Sequence, residues 1–87
     1  MRFAFDPVKS AGNKVKHGVD FVEAQALWND PDRVESPARS DTEPRYEVLG
    51  RIQQTTWAAL VTHRHDTIRI ISVRRARKNE EARYRTS

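Results

Sequence analysis

The stretch Ile68-Arg69-Ile70-Ile71-Ser72-Val73-Arg74-Arg75-Ala76-Arg77-Lys78 constrains this chain more than any other. Its β-branched residues call for a strand with at least one buried side. Yet arginines recur at 69, 74, 75 and 77. From Arg69 to Ser87 there are seven Lys/Arg against two acids, whereas the rest of the chain has nine bases and ten acids. The whole formal charge of +4 therefore sits in the C-terminal element. A guanidinium stays ionised and presents paired donors that match phosphate oxygens. A half-buried strand carrying so many of them implies an anionic partner.

Eighty-seven residues suffice for one small domain, spanning residues 1–87, with a single sheet and a few helices. There is no cysteine, which excludes disulfides and thiolate metal sites. Met1 to Asp6 lacks the apolar run of a signal peptide, and no segment approaches the roughly 20 apolar residues of a membrane span. The expectation is a soluble, cytoplasmic protein that does not contact membrane.

Arg2 to Phe5 alternates as a short strand. Asp6-Pro7 then opens a helix, with Asp6 as N-cap and Pro7 at the first helical position. On that helix Val8, Ala11 and Val15 form the expected buried face, and Lys9, Asn13, Lys16 and His17 the polar one. Gly18 is the expected left-handed C-cap. Asp20 and Glu23 form a capping box for a second helix whose buried face is Phe21, Ala24, Leu27 and Trp28. Arg33 to Glu43, polar and proline-bearing, reads as a loop or an edge strand. From Arg45 the pattern becomes β: Tyr46–Ile52, Thr55–His63 and Thr67–Arg75, the last two joined as a hairpin at His65-Asp66. Asn79 caps a short final helix, Glu80 to Arg85. The expected class is α+β, with two N-terminal helices on one face of a mainly antiparallel sheet, a short C-terminal helix, and the other face open for a ligand.

Several side chains could carry chemistry. Lys16-His17 is either an acid/base pair for a ribose hydroxyl or a surface pair at a helix end. His63 and His65 lie at i, i+2, but no third ligand has suitable spacing, so neither a metal nor any other cofactor is expected. Arg64, Arg69, Arg74 and Arg75 are the phosphate candidates. With a two-residue turn at His65-Asp66, Arg64 shares a face with Arg69, Ile71, Val73 and Arg75, while a one-residue change reverses the sorting. Trp28 and Trp57 read as core. Tyr84, between Arg83 and Arg85, either stacks on a base or docks the last helix.

Phe5-Asp6, Lys9, Asn13, Lys16-His17-Gly18-Val19 and Phe21-x-Glu23-Ala24 resemble the start of the BrnT family of bacterial toxins. Asp30-Pro31, Arg45 and Gly50 continue the pattern in order. Its most specific stretch is Ile68-Arg69-Ile70-Ile71-Ser72-x-Arg74-x-Ala76, followed by Glu80 and Tyr84. The similarity runs from Phe3 to Tyr84. Phe5 stands where the family often has Trp, Val73 where it usually has Ala, and His65 at a hairpin position often held by Gly. The resemblance implies a type II toxin–antitoxin component with a fold similar to RelE-type ribonucleases. It would cleave RNA, inhibit translation and arrest growth. A BrnA-like antitoxin would neutralise it, and operator DNA would be reached only through that antitoxin.

Such cleavage, without a metal, needs a base for the 2′-proton, cations for the charged phosphorane and an acid for the 5′-oxygen. On this expectation phosphate stabilisation falls to Arg64 and Arg74, acid/base work to His17, and electrostatic support to Lys9 or Lys16. Arg69, Arg75, Arg77, Lys78 and Tyr84 would hold the RNA. An acidic antitoxin segment is expected over Arg64 to Lys78. The rival class is a non-catalytic RNA-binding or ribosome-associated basic module, which needs the same cations but not His17. A DNA-binding regulator is disfavoured by the absence of a basic recognition helix.

Overall fold

In the computed structural model, which describes residues 1–87, five strands form one sheet in the order β1-β5-β4-β3-β2. They are β1 (Arg2–Ala4), β2 (Val34–Ala38), β3 (Arg45–Ile52), β4 (Thr55–Arg64) and β5 (Thr67–Arg75). The β2-β3-β4-β5 meander is antiparallel, and the short β1 pairs parallel with the start of β5. The segment with two expected descriptions is therefore an edge strand, where Pro37 is tolerated. The three helical segments are α1 (Pro7–His17), a 3-10 helix at Glu23–Asn29, and α2 (Lys78–Thr86). This is an α+β architecture with a mixed sheet.

α1 starts and stops as its sequence dictates. The Asp6 carboxylate accepts the Val8 N–H at 2.9 Å, and Gly18 closes the helix at φ 86°. Its orientation is the reverse of the expected one. Val8 and Val15 are 79% and 89% exposed, and Ser10 and Asn13 are buried against the sheet. The reason lies in the shortness of β1, which covers β5 only as far as Arg69. Beyond it Val73 has a free backbone edge, and the Asn13 side chain takes it. Asn13 Nδ2 donates to the Val73 carbonyl at 2.8 Å, and its Oδ1 accepts the Val73 N–H at 3.2 Å. Ser10 Oγ accepts the Phe21 N–H. Satisfying these buried backbone groups outweighs burying two valines.

The second helical segment keeps its capping box. Asp20 Oδ1 accepts the N–H groups of Val22 and Glu23, and Glu23 Oε1 accepts that of Asp20. It is a 3-10 helix instead of the expected α-helix. Phe21, Ala24 and Leu27, spaced three apart, are all buried, and a three-residue turn aligns such a spacing on one face. Trp28 is half-buried and meets Phe3 edge-on at 5.0 Å. Gly50 lets this helix approach the sheet, since a Cβ there would lie 3.0 Å from a Leu27 methyl. The core forms between these segments and the sheet, from Val19, Phe21, Ala24 and Leu27 against Val48, Trp57, Ala59, Val61, Ile68, Ile70 and Val73.

The His65-Asp66 turn has two residues, with Arg64 opposite Thr67 and Thr62 opposite Arg69. The sorting of β5 side chains nevertheless departs from strict alternation. Leu60 pairs Ser72 while Val61 pairs Ile70, so Ile71 is an extra residue in a β-bulge. The bulge lets Ile68, Ile70 and Val73 all reach the core. It also moves Arg74 onto the face that Arg64 and Arg69 share.

The sequence suggests that this face is open, but α2 covers part of it. α2 begins at Lys78 with Arg77, not Asn79, at its N-cap, and packs across the far end over β3. Leu49 is fully buried there although it lies outside the main core cluster. The helices therefore occupy both sides of the sheet, α1 and the 3-10 helix on one and α2 on the other.

Candidate nucleic-acid interface

The uncovered end of the outer face carries the cations. Lys9 from α1, Arg45 from β3, Arg64 from the end of β4 and Arg69 from β5 line one pocket of about 190 Å³, with Thr42, Glu43, Thr62 and Ile71. Antiparallel pairing brings Arg64, Thr62 and Arg69 together across the hairpin. Glu43, in the β2–β3 connection, is the pocket's lone acid. Its Oε2 accepts a bond from Arg64 Nε at 2.8 Å. Lys9, Arg45 and Arg69 make no ion pair. Four bases thus face one carboxylate, and that imbalance favours an added anion. Thr62 is 3% exposed, and its hydroxyl oxygen is buried without a hydrogen-bond partner.

The other sequence-predicted residues lie elsewhere. His17 and Lys16 sit at the far end of α1, eight and seven residues beyond Lys9, so about 12 Å separates His17 from Lys9 along the axis. Lys16 is exposed and His17 half-buried. Arg74 and Arg75 lie five and six residues from Arg69, roughly 16–20 Å along the strand. Arg74 is bound bidentately by Glu80, at 2.7 and 2.9 Å, and approaches Glu47 at 3.9 Å. The Glu80 carboxyl is lowered to about 2, chiefly by Arg74 and against the opposing effect of burial, with the Arg77 N–H adding to the shift. Burial and the neighbouring Glu80 push the Glu47 carboxyl up, although Glu47 also pairs with Arg83. Arg74 thus fastens α2 to the sheet. Arg75 lies over the Trp57 ring at 5.9 Å. Arg77 and Lys78 are exposed at the start of α2.

Of the two readings of Tyr84, docking describes its contacts. Its hydroxyl donates to Asp30 Oδ2 at 2.6 Å, and that bond, with burial, pushes the phenol up to about 12. Asp30 also accepts the backbone N–H groups of Arg51 and Asp32. The hollow of about 380 Å³ around Asp30, Arg51 and Tyr84 therefore has its acid committed to fold contacts. His63 faces away from the cationic pocket, bonded to Glu35 at 2.7 Å and packed on Tyr46. His65 is exposed at the hairpin tip.

Lys9, Arg64 and Arg69 are site candidates from the sequence alone, whereas Arg45, Glu43 and Thr62 enter the site only through the fold. Arg45 stands at the start of the β pattern, where its strand parity could have been followed to Thr62. Glu43 lies in a connection without periodicity and left no signal.

A basic pocket on an α+β sheet, built without cysteine, defines a small cationic protein suited to a polyanion. Residues 5–80 match the family described as the ribonuclease toxin, BrnT, of type II toxin–antitoxin systems, and the chain belongs to that family. Its members are toxins partnered by an antitoxin and directed at RNA. No curated protein matches the chain. No helix is long and apolar enough to cross a membrane.

Proposed function

We propose that this chain is an RNA endonuclease whose scissile phosphate sits among Lys9, Arg45, Arg64 and Arg69. The convergence of four basic side chains from four elements on one pocket carries the reading. In this scheme the ribose 2′-hydroxyl gives its proton to solvent water as its oxygen attacks phosphorus, the 2′-O–P bond forms, the P–O bond to the 5′-oxygen breaks, and that oxygen takes a proton. The guanidiniums stabilise the charge that builds on the phosphoryl oxygens, an effect that needs no metal. Lys9, the one amine in the pocket, is the group that donates this proton to the 5′-oxygen. His17 and Lys16, about 12 Å along α1, together with Arg75, Arg77 and Lys78 at the other end of β5, serve flanking phosphates. Arg74 and Tyr84 hold α2 in place. The fold similarity to RelE-type ribonucleases belongs to the same reading, as do translation arrest in the cytoplasm and inhibition by an acidic antitoxin segment laid over these cations.

The test is incubation of purified protein with single-stranded RNA in EDTA. Fragments ending in 2′,3′-cyclic phosphate are expected. Cleavage that disappears with EDTA and returns with a divalent ion contradicts the metal-free scheme. RNA that is bound but never cut favours the rival binding module.

A further inference from the structure

Two groups in the cationic pocket are left idle by the ribonuclease reading. The first is Glu43, a carboxylate already seated on Arg64 Nε at 2.8 Å. Both partners are substantially exposed, at 66% for Arg64 and 38% for Glu43. Exposed single-bond ion pairs of this kind are weak and easily exchanged. Apart from this contact, the connection 39–44 is held by Ser40, whose Oγ donates to the Glu43 carbonyl at 2.6 Å and accepts the Thr42 N–H at 3.3 Å. The second is the Thr62 hydroxyl, buried and unpartnered on the strand between Arg45 and Arg69. A buried hydroxyl without a partner is destabilising in the free protein, and an incoming oxyanion can supply what it lacks.

We propose that Glu43 is a built-in competitor. Its carboxylate holds the phosphate seat of the free protein, and the RNA phosphate displaces it from Arg64 and takes a hydrogen bond from Thr62. The identity of the anion rests on the ribonuclease reading above; the seat itself rests on the two observations just given. A carboxylate and a phosphodiester oxygen offer the same acceptor to a guanidinium, so one can stand in for the other. The free protein then presents a smaller positive field than its four bases imply, and only a ligand that outcompetes Glu43 gains the full set.

The experiment uses the whole chain and a fluorescein-labelled single-stranded RNA with 2′-O-methyl groups, which cannot be cut, and reads affinity by anisotropy. Glu43→Gln keeps the shape and removes the competing charge, and it is expected to bind about fivefold more tightly. Thr62→Val is near-isosteric and is expected to bind roughly tenfold more weakly. The same Thr62→Val change is expected to raise the melting temperature of the free protein, because it removes an unpartnered polar atom. A merely structural threonine would not move stability and affinity in opposite directions. Glu43→Gln that binds no better than the native chain, or Thr62→Val that binds equally well, overturns the proposal. If the native chain binds this RNA and both variants shift as stated, but unmodified RNA is not cleaved, the ribonuclease reading fails and the seat stands.

Discussion

Asn13 does for β5 what a longer β1 would do. Its amide meets both the N–H and the carbonyl of Val73, and its Nδ2 also donates to the Val19 carbonyl at 2.8 Å. One side chain thereby closes a sheet edge and ties α1 to the turn that follows it. Asn13→Ala leaves buried backbone groups unpaired on two segments. It is expected to destabilise the fold by about 2–4 kcal/mol, read as a lower midpoint in urea unfolding. A midpoint within error of the native chain would mean that water or a backbone shift replaces the amide. The helix period places this residue on the solvent face. Nothing local to it announces a partner 60 positions away. The helix period alone favoured the valines, which the structure leaves exposed.

At the level of elements, α2 is fastened by charge. Its apolar face is weak, so the Arg74–Glu80 fork, the Arg83–Glu47 pair and the Tyr84–Asp30 bond hold it on the sheet. Glu80 titrates at about 2 against an ordinary 4.5. A carboxyl depressed by folding contributes stability that is complete above its unfolded value and is lost as pH falls through the folded one. The window is therefore pH 4.5 down to about 2. Glu47 is shifted up, so its protonation adds stability as pH falls, chiefly above 4.5 and outside this window. The native chain is expected to lose on the order of 2 kcal/mol across this window. Glu80→Gln should show a flatter acid limb and lower stability at neutral pH. Equal acid limbs for the two proteins would remove Glu80 from the account. The bulge at Ile71 acts at the same scale, and strict alternation could not reveal it. It surfaces only when Ile68, Ile70 and Val73 must all be buried, which needs one extra residue in the strand.

Across the whole molecule, the C-terminal excess of charge divides into two uses. Arg74 and Arg83 are spent internally on Glu80 and Glu47. Arg69 instead joins Lys9, Arg45 and Arg64 at the opposite end of the sheet. The meander was legible because period-two alternation and two-residue turns are local signals. The division of the arginines was not, since it depends on where α2 docks and on a bulge. Neutralising the scissile phosphate and about four flanking ones, at Lys16, Arg75, Arg77 and Lys78, gives a slope near −3.5 for log K against log salt, at about −0.7 per contact on a single strand. Arg69→Ala should reduce that slope by about 0.7, whereas Arg74→Ala should leave it unchanged. A larger loss of slope from Arg74→Ala than from Arg69→Ala would reassign the interface to the other end of β5.

The central claim is that Arg64 belongs to the seat of a phosphate that is cut. Single-turnover cleavage of single-stranded RNA in EDTA, compared between the native chain, Arg64→Ala and His17→Ala, tests it most directly. The account predicts that Arg64→Ala loses about 100- to 1,000-fold in rate, while His17→Ala, removed from the pocket, stays within a few-fold of the native chain. Unchanged cleavage by Arg64→Ala, or a collapse confined to His17→Ala, would contradict it and move the chemistry to the far end of α1.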